Sequence, residues 1–279
     1  MTIDIRRDRK RTSEANRIIA KRIPRKRADD FKRATDIALA SCGLAVLAAP
    51  MALIALAVWL EDRRSPFYSG IRMGLRLREL RMHKFRTMVP DAPSSGVNST
   101  GRDDLRITRV GKVLRRFKLD ELPQLWNVLT GSMSLVGPRP QVPCDAALYT
   151  IEECRLLDVR PGITDLASIV FADEGEILAG SANPDLLYNQ IIRPWKSRLA
   201  LAYLDHASLG LDFRILALTL VSAASRQRAL EGVDRLLDAW NADPMLRRAA
   251  LRQAPLVPWP PPGSTEIVTH YPRREAAKV

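Results

Sequence analysis

The stretch IALASCGLAVLAAPMALIALAVWL, Ile37 to Leu60, runs for twenty-four residues without a charge, and its reading decides the architecture. A helix of that length exceeds the roughly 30 Å of a bilayer's hydrocarbon core, so the segment belongs with a membrane. A secretory signal is excluded, because the run is too long, starts too far into the chain and leads into an arginine-rich stretch. Lys32 and Arg33 flank one end, Arg63 and Arg64 the other, and Pro50 stands near the middle. Positive charge on both sides predicts two ends on the same, cytoplasmic face. A proline breaks the hydrogen-bond ladder where such a segment has to turn. The expected element is a re-entrant helix-break-helix over residues 34–62 with Pro50 as its break; a single crossing helix kinked at Pro50 is the alternative.

Working outward, residues 1–33 form a basic arm with thirteen Lys or Arg against five acids, a large part of the chain's net charge of +13. Such an arm favours an anionic partner, and composition alone does not separate nucleic acid from the phospholipid of a cytoplasmic leaflet. At 279 residues and 46% hydrophobic, the chain can bury a sizeable core. Cys42, Cys144 and Cys154 lack CxxC spacing, and His83, His206 and His270 are scattered, so neither a zinc cluster nor a Ser-His-Asp triad has its residues. Any hydrolytic chemistry here has to rest on carboxylates.

Beyond Arg64 the pattern is α/β, mostly helical. PFYSGIR (66–72) and LRMHKFRTM (80–88) read as extended, and PDAPSSGVNSTG (90–101) as a loop. A basic helix at about 109–118 runs into LDELPQLWNVLTG (119–131), where Pro123 marks a helix start and Gly131 a stop. Asp120 and Glu121 fall at or just before that first turn; by position alone they are ordinary helix-capping acids. The prolines of SLVGPRPQVP (134–143) fix a loop that aims Arg139, and RPGIT (160–164) is a second such turn. Residues 183–224 read as helix, with Asp212 and Arg214 arguing for a core or interfacial helix over a second span. Residues 226–253 read as one amphipathic helix, and the tail from Pro255 as disordered.

The membrane run with Pro50, KFRTM, the stretch ITRVGKVLRRFKLDELPQLWNVLTGSMSLVGPRP and RPGIT resemble the bacterial sugar transferases, the monotopic phosphoglycosyl transferases, over about residues 30–222. The resemblance implies transfer of a sugar 1-phosphate from a nucleoside diphosphate sugar to undecaprenyl phosphate, with release of UMP, early in exopolysaccharide or other surface-glycan synthesis. It implies a re-entrant anchor in the inner membrane and a catalytic domain, 63–224, on the cytoplasmic face. The charged arm alone ahead of the anchor resembles the minimal form of the family; residues 225–279 form an extension. By the same resemblance Asp120 is the nucleophile that forms a covalent aspartyl-phosphosugar, and Glu121 holds Mg²⁺. Lys84, Arg115 and Arg139, with Arg86 and Arg160, are set around the phosphates, and the basic arm of residues 1–33 is expected to adhere to anionic membrane lipid. The chain departs from the family pattern at Ala49-Pro50, where Ser-Pro is common, and at Gly70, where Gln is frequent.

A nucleic-acid-binding protein lacks a reading motif here and leaves the apolar run unexplained. A transferase with several crossing helices needs more than one such run. An inactive membrane-anchored scaffold is opposed by the intact Asp120-Glu121 pair. No local motif selects the sugar, and residues 171–190, which follow RPGIT, are expected to form the most substrate-specific loops.

Overall fold

The computed structural model describes residues 26–92 and 97–271. Most of the basic arm, part of the 90–101 loop and the last eight residues lie outside the described residues, as does the lipid-adhering role read for that arm. What is described is mostly helical, with two small sheets.

Helix α1 spans Lys26–Asp62, and its 37 residues stay helical through Pro50. The break expected at Pro50 is therefore not a gap between two helices; one continuous element replaces the two arms and begins before residue 34. A proline forfeits one backbone bond of an interior turn. Here the turns on both sides are held by packing.

At its N-terminal side Lys32 pairs with Asp212 at 2.6 Å, and Arg33 donates to the carbonyls of Val128 and Leu129. The buried Asp36 accepts from the Ser134 hydroxyl and the Leu135 amide. Ala40 is fully buried, and Gly43 faces Leu125 so closely that an added Cβ would touch it at 3.4 Å. At the C-terminal side Met51, Ile54, Ala55 and Val58 pack with Phe85 and Leu114. There Glu61 accepts from the Arg109 amide and Asp62 pairs with Arg86. The opposite face leaves Val46, Leu53 and Leu60 exposed. This helix is long and apolar enough to cross a membrane.

Strands β1 (Phe67–Met73) and β2 (Glu79–Phe85) form an antiparallel hairpin, with Tyr68 opposite Lys84 and Met73 opposite Glu79. Along β2 Leu80 and Met82 are buried, and by the two-residue period of a strand Lys84 shares their face. Helix α2 (Arg109–Arg116) is capped by Thr108, whose side chain accepts from the Gly111 amide. A 3₁₀ turn, Leu119–Glu121, leads into α3 (Gln124–Leu129). Asn127 of α3 accepts from the His83 amide and donates to the Arg81 carbonyl, fixing α3 against β2.

Strands β3 (Ser134–Val136) and β4 (Gly162–Thr164) run parallel, and the GPRP and RPGIT turns cross where Gly137 meets Gly162. A Cβ on Gly162 would lie 2.1 Å from the Gly137 nitrogen, so only glycine allows that crossing. Short helices α4 (Pro143–Ala146), α5 (Leu166–Val170), α6 (Glu174–Ile177) and α7 (Pro184–Leu187) follow. A π-helical turn, Tyr188–Ile192, joins α7 to α8 (Arg193–Asp205); α9 is Leu209–Ala224. Leu166, Val170, Ile192, Leu199 and Ile215 form the centre of the main core.

The expected amphipathic helix at 226–253 is two helices, α10 (Arg226–Ala239) and α11 (Pro244–Leu251), because Asn241 adopts a positive φ and Pro244 starts a new helix. The expectation of a disordered tail from Pro255 is corrected over residues 255–271. Trp259 stacks on Trp195, its amide bonds to the Gln190 carbonyl, and Thr150 donates to the Pro262 carbonyl. The buried Tyr271 meets Asn98 at 3.2 Å. Proline-rich composition suits an extended strap that borrows its contacts from the body it crosses.

Candidate active site

The 3₁₀ turn carrying Asp120 and Glu121 exists because Lys118, at φ +57°, swings the chain out of α2 before α3 begins. It delivers both acids between β2 and the GPRP loop. The Lys84 ammonium lies 2.9 Å from Glu121 Oε1 and 3.5 Å from Asp120 Oδ2. Arg139 pairs with the same Glu121 oxygen, while its other nitrogen donates to the Ile163 carbonyl at 2.9 Å. RPGIT thus orients the arginine of GPRP. Arg115 donates to the Thr87 hydroxyl at 3.0 Å, and among the charges acting on its half-buried guanidinium Asp120 is the foremost.

Burial pushes the Glu121 carboxyl up, but Arg139, then Lys84, and also Lys118 reverse this and hold it well below the usual carboxylate range. Asp120 is 5% exposed, with Lys84 leaning toward it at the longer distance. A pair of adjacent acids thus sits against Lys84 and Arg139, with Arg115 and Lys118 acting on it electrostatically. Cations in such excess suit a substrate bearing several phosphate charges, and arginines grip phosphate oxygens with two donors at once.

Two residues named from the sequence stand elsewhere. Arg86 is turned to the end of α1, where it pairs with Asp62 at 2.5 Å and donates to the Ser65 carbonyl. Arg160 donates to the Gly131 carbonyl. Pro50 lies inside α1. Sequence reasoning missed Lys118, whose positive φ no motif announces, and Gln124. The latter is fully buried one turn beyond Asp120, with neither amide atom hydrogen-bonded.

Among the described residues no group of three or more His, Cys, Asp or Glu is assembled. A carboxylate pair without further protein ligands still fits Mg²⁺. That ion takes one or two carboxylates and fills its octahedron with water and substrate phosphate oxygens.

A model described as bacterial sugar transferase matches residues 27–226. Over 196 residues the chain is 37% identical to the undecaprenyl-phosphate glucose phosphotransferase of Komagataeibacter xylinus, covering 68% of this chain and 35% of that protein. It is 35% identical over 207 residues to the exopolysaccharide production protein PSS of Rhizobium leguminosarum bv. phaseoli, covering 70% of this chain and 96% of that one. Identity is 39% over 189 residues with the UDP-glucose:undecaprenyl-phosphate glucose-1-phosphate transferase of Xanthomonas campestris pv. campestris, covering 64% of this chain and 36% of that protein. The chain therefore spans about a third of the length of the first and third relatives and nearly all of the second.

Proposed function

The chain belongs to the bacterial sugar transferase family, and from that premise we propose that it transfers a hexose 1-phosphate from a UDP-sugar to undecaprenyl phosphate, releasing UMP. The observation that carries the proposal is the Asp120-Glu121 pair set among Lys84, Arg115 and Arg139. Two of the relatives above are named for glucose or glucose-1-phosphate transfer to this lipid carrier.

In the first half-reaction an Asp120 oxygen attacks the phosphorus that bears the sugar. The bond from that phosphorus to the bridging oxygen breaks, UMP departs with the electron pair, and an aspartyl-phosphosugar remains. In the second, an oxygen of undecaprenyl phosphate attacks the same phosphorus, the acyl-phosphate bond breaks, and Asp120 returns as a carboxylate. Arg139 and Lys84 neutralise the donor's phosphate oxygens, and Arg115 holds charge close to Asp120. Glu121 would hold Mg²⁺, which when bound supplies further neutralisation of the diphosphate.

The lipid acceptor calls for a site at a membrane surface. Lys32 and Arg33 near one end of α1, and Glu61 and Asp62 at the other, all engage the same folded body. This supports a re-entrant anchor whose two ends share the cytoplasmic face of the inner membrane. The test is UMP release in detergent, with undecaprenyl phosphate and Mg²⁺, from a panel of UDP-sugars. The native chain is expected to release UMP and Asp120→Asn to lose it by at least 10³-fold, within the range seen for removal of a nucleophile. Equal release by both proteins would remove Asp120 from the mechanism, and none from either would leave an inactive scaffold.

A further inference from the structure

Leu119–Glu121 and α3 form one run of helical backbone, because Leu122 (φ −53°, ψ −37°) and Pro123 (φ −62°, ψ −15°) between them keep helical dihedrals. Asp120, Gln124 and Asn127 therefore share a face, and all three are buried, at 5%, 0% and 3% exposed. That face rests on β2. Asn127 accepts from the His83 amide at 2.9 Å and donates to the Arg81 carbonyl at 2.7 Å, while Lys84, the next residue along β2, reaches toward Asp120. Gln124 lies between these two contacts.

Both neighbours on that face have partners, whereas neither amide atom of Gln124 has a hydrogen-bond partner among the described residues. A helical side chain leans toward the N-terminus and covers the preceding turn. The Gln124 carboxamide thus lies over the turn that carries Asp120, with the two Cβ atoms about 5–6 Å apart. Helix α3 is pinned on its other side, where Leu125 meets Gly43, and at its end, where Arg33 holds the Val128 and Leu129 carbonyls. A buried amide left unpaired destabilises the fold, and it leaves a donor ready for a group that presents itself only during the reaction.

Resting on the transferase reading above, we infer that Gln124 is a positioning residue for Asp120, its amide N–H donating to the carboxylate oxygen that does not bond to phosphorus. Before substrate binds, Lys84 leans toward Asp120. The incoming diphosphate draws that ammonium to its own oxygens, and a neutral amide then orients the carboxylate without quenching its charge as a cation does. In the aspartyl-phosphosugar the same N–H meets the acyl carbonyl oxygen. When an oxygen of undecaprenyl phosphate attacks the phosphorus, the acyl-phosphate bond breaks and its electron pair returns to the Asp120 carboxyl. The amide donor meets that charge as it develops.

The test uses the full chain in detergent with undecaprenyl phosphate and Mg²⁺, and whichever of UDP-glucose, UDP-galactose and UDP-N-acetylglucosamine the native chain turns over fastest. Gln124→Met fills a similar volume without the amide. It is expected to melt at or above the native temperature, since an unpaired buried group is removed. Its kcat for UMP release is expected to fall at least tenfold with KM within twofold. A smaller loss of kcat overturns the inference, and so does a KM raised more than twofold, which would assign the amide to substrate binding. Should Gln124→Met melt below the native chain, Gln124→Glu decides. Its carboxylate keeps the shape and has no proton to donate until it is protonated, so its kcat relative to native is expected to rise as pH falls. A ratio flat with pH overturns the inference. These outcomes leave the transferase reading intact, whereas a native chain that releases UMP from no donor overturns both.

Discussion

Glu121 keeps its charge because two cations outweigh its burial. Burial pushes the carboxyl up, while Arg139 and then Lys84 hold it well below the usual range. Folding thus favours the ionised form. The associated stability is present above the unfolded-state value near about 4.3 and is lost as pH falls through the depressed folded value. Arg139→Met removes the strongest of those charges and leaves the burial. The acid limb of residual UMP release against pH is expected to move up by about 1 unit or more; an unmoved limb would mean that another group sets it. At this scale the sequence was informative where a motif carried the residue. Lys84, Arg115, Asp120, Glu121 and Arg139 are brought together as the motifs suggested. Arg86 was not legible, since its partner Asp62 lies in a different element and no local pattern joins them. Gln124 was equally silent, because a buried amide without a partner is a property of packing.

At the scale of elements, the β1–β2 hairpin and the turn into α3 follow the alternation, proline and glycine signals of the sequence, which are local. Helix α1 does not: Pro50 is a local signal overruled by contacts on both sides of it, from Asp36 and Ala40 to Val58. Those contacts bear on topology. With Cys42, Cys144 and Cys154 replaced by alanine, Ala34→Cys and Arg64→Cys are expected to react equally with a membrane-impermeant maleimide in inside-out vesicles. Reaction at one position alone would establish a crossing helix. The strap at 255–271 was misread for a related reason. Proline-rich composition reports that a segment has no core of its own, and says nothing of a Trp195 waiting elsewhere to stack on Trp259.

Over the whole molecule, distant parts are tied by charge as well as by apolar packing. Glu153 and Arg193 are both almost fully buried and meet at 2.7 and 3.0 Å. Asn189 and Ser197 complete their hydrogen bonds. Glu153→Gln leaves the guanidinium buried without its counter-charge, and is expected to lower unfolding free energy by about 3–5 kcal/mol, read by thermal or denaturant melting in detergent. A change below about 1 kcal/mol would mean that Arg193 finds water or another anion. The tie between Lys32 and Asp212 spans 180 residues. On a ribosome adding about 5–20 residues per second, that separation is roughly 9–36 s of synthesis. Helix α1 is made while the aspartate that will latch it is still untranslated. The later helices thus close the fold onto a helix made well before them, so the two ends of the described fold are joined last.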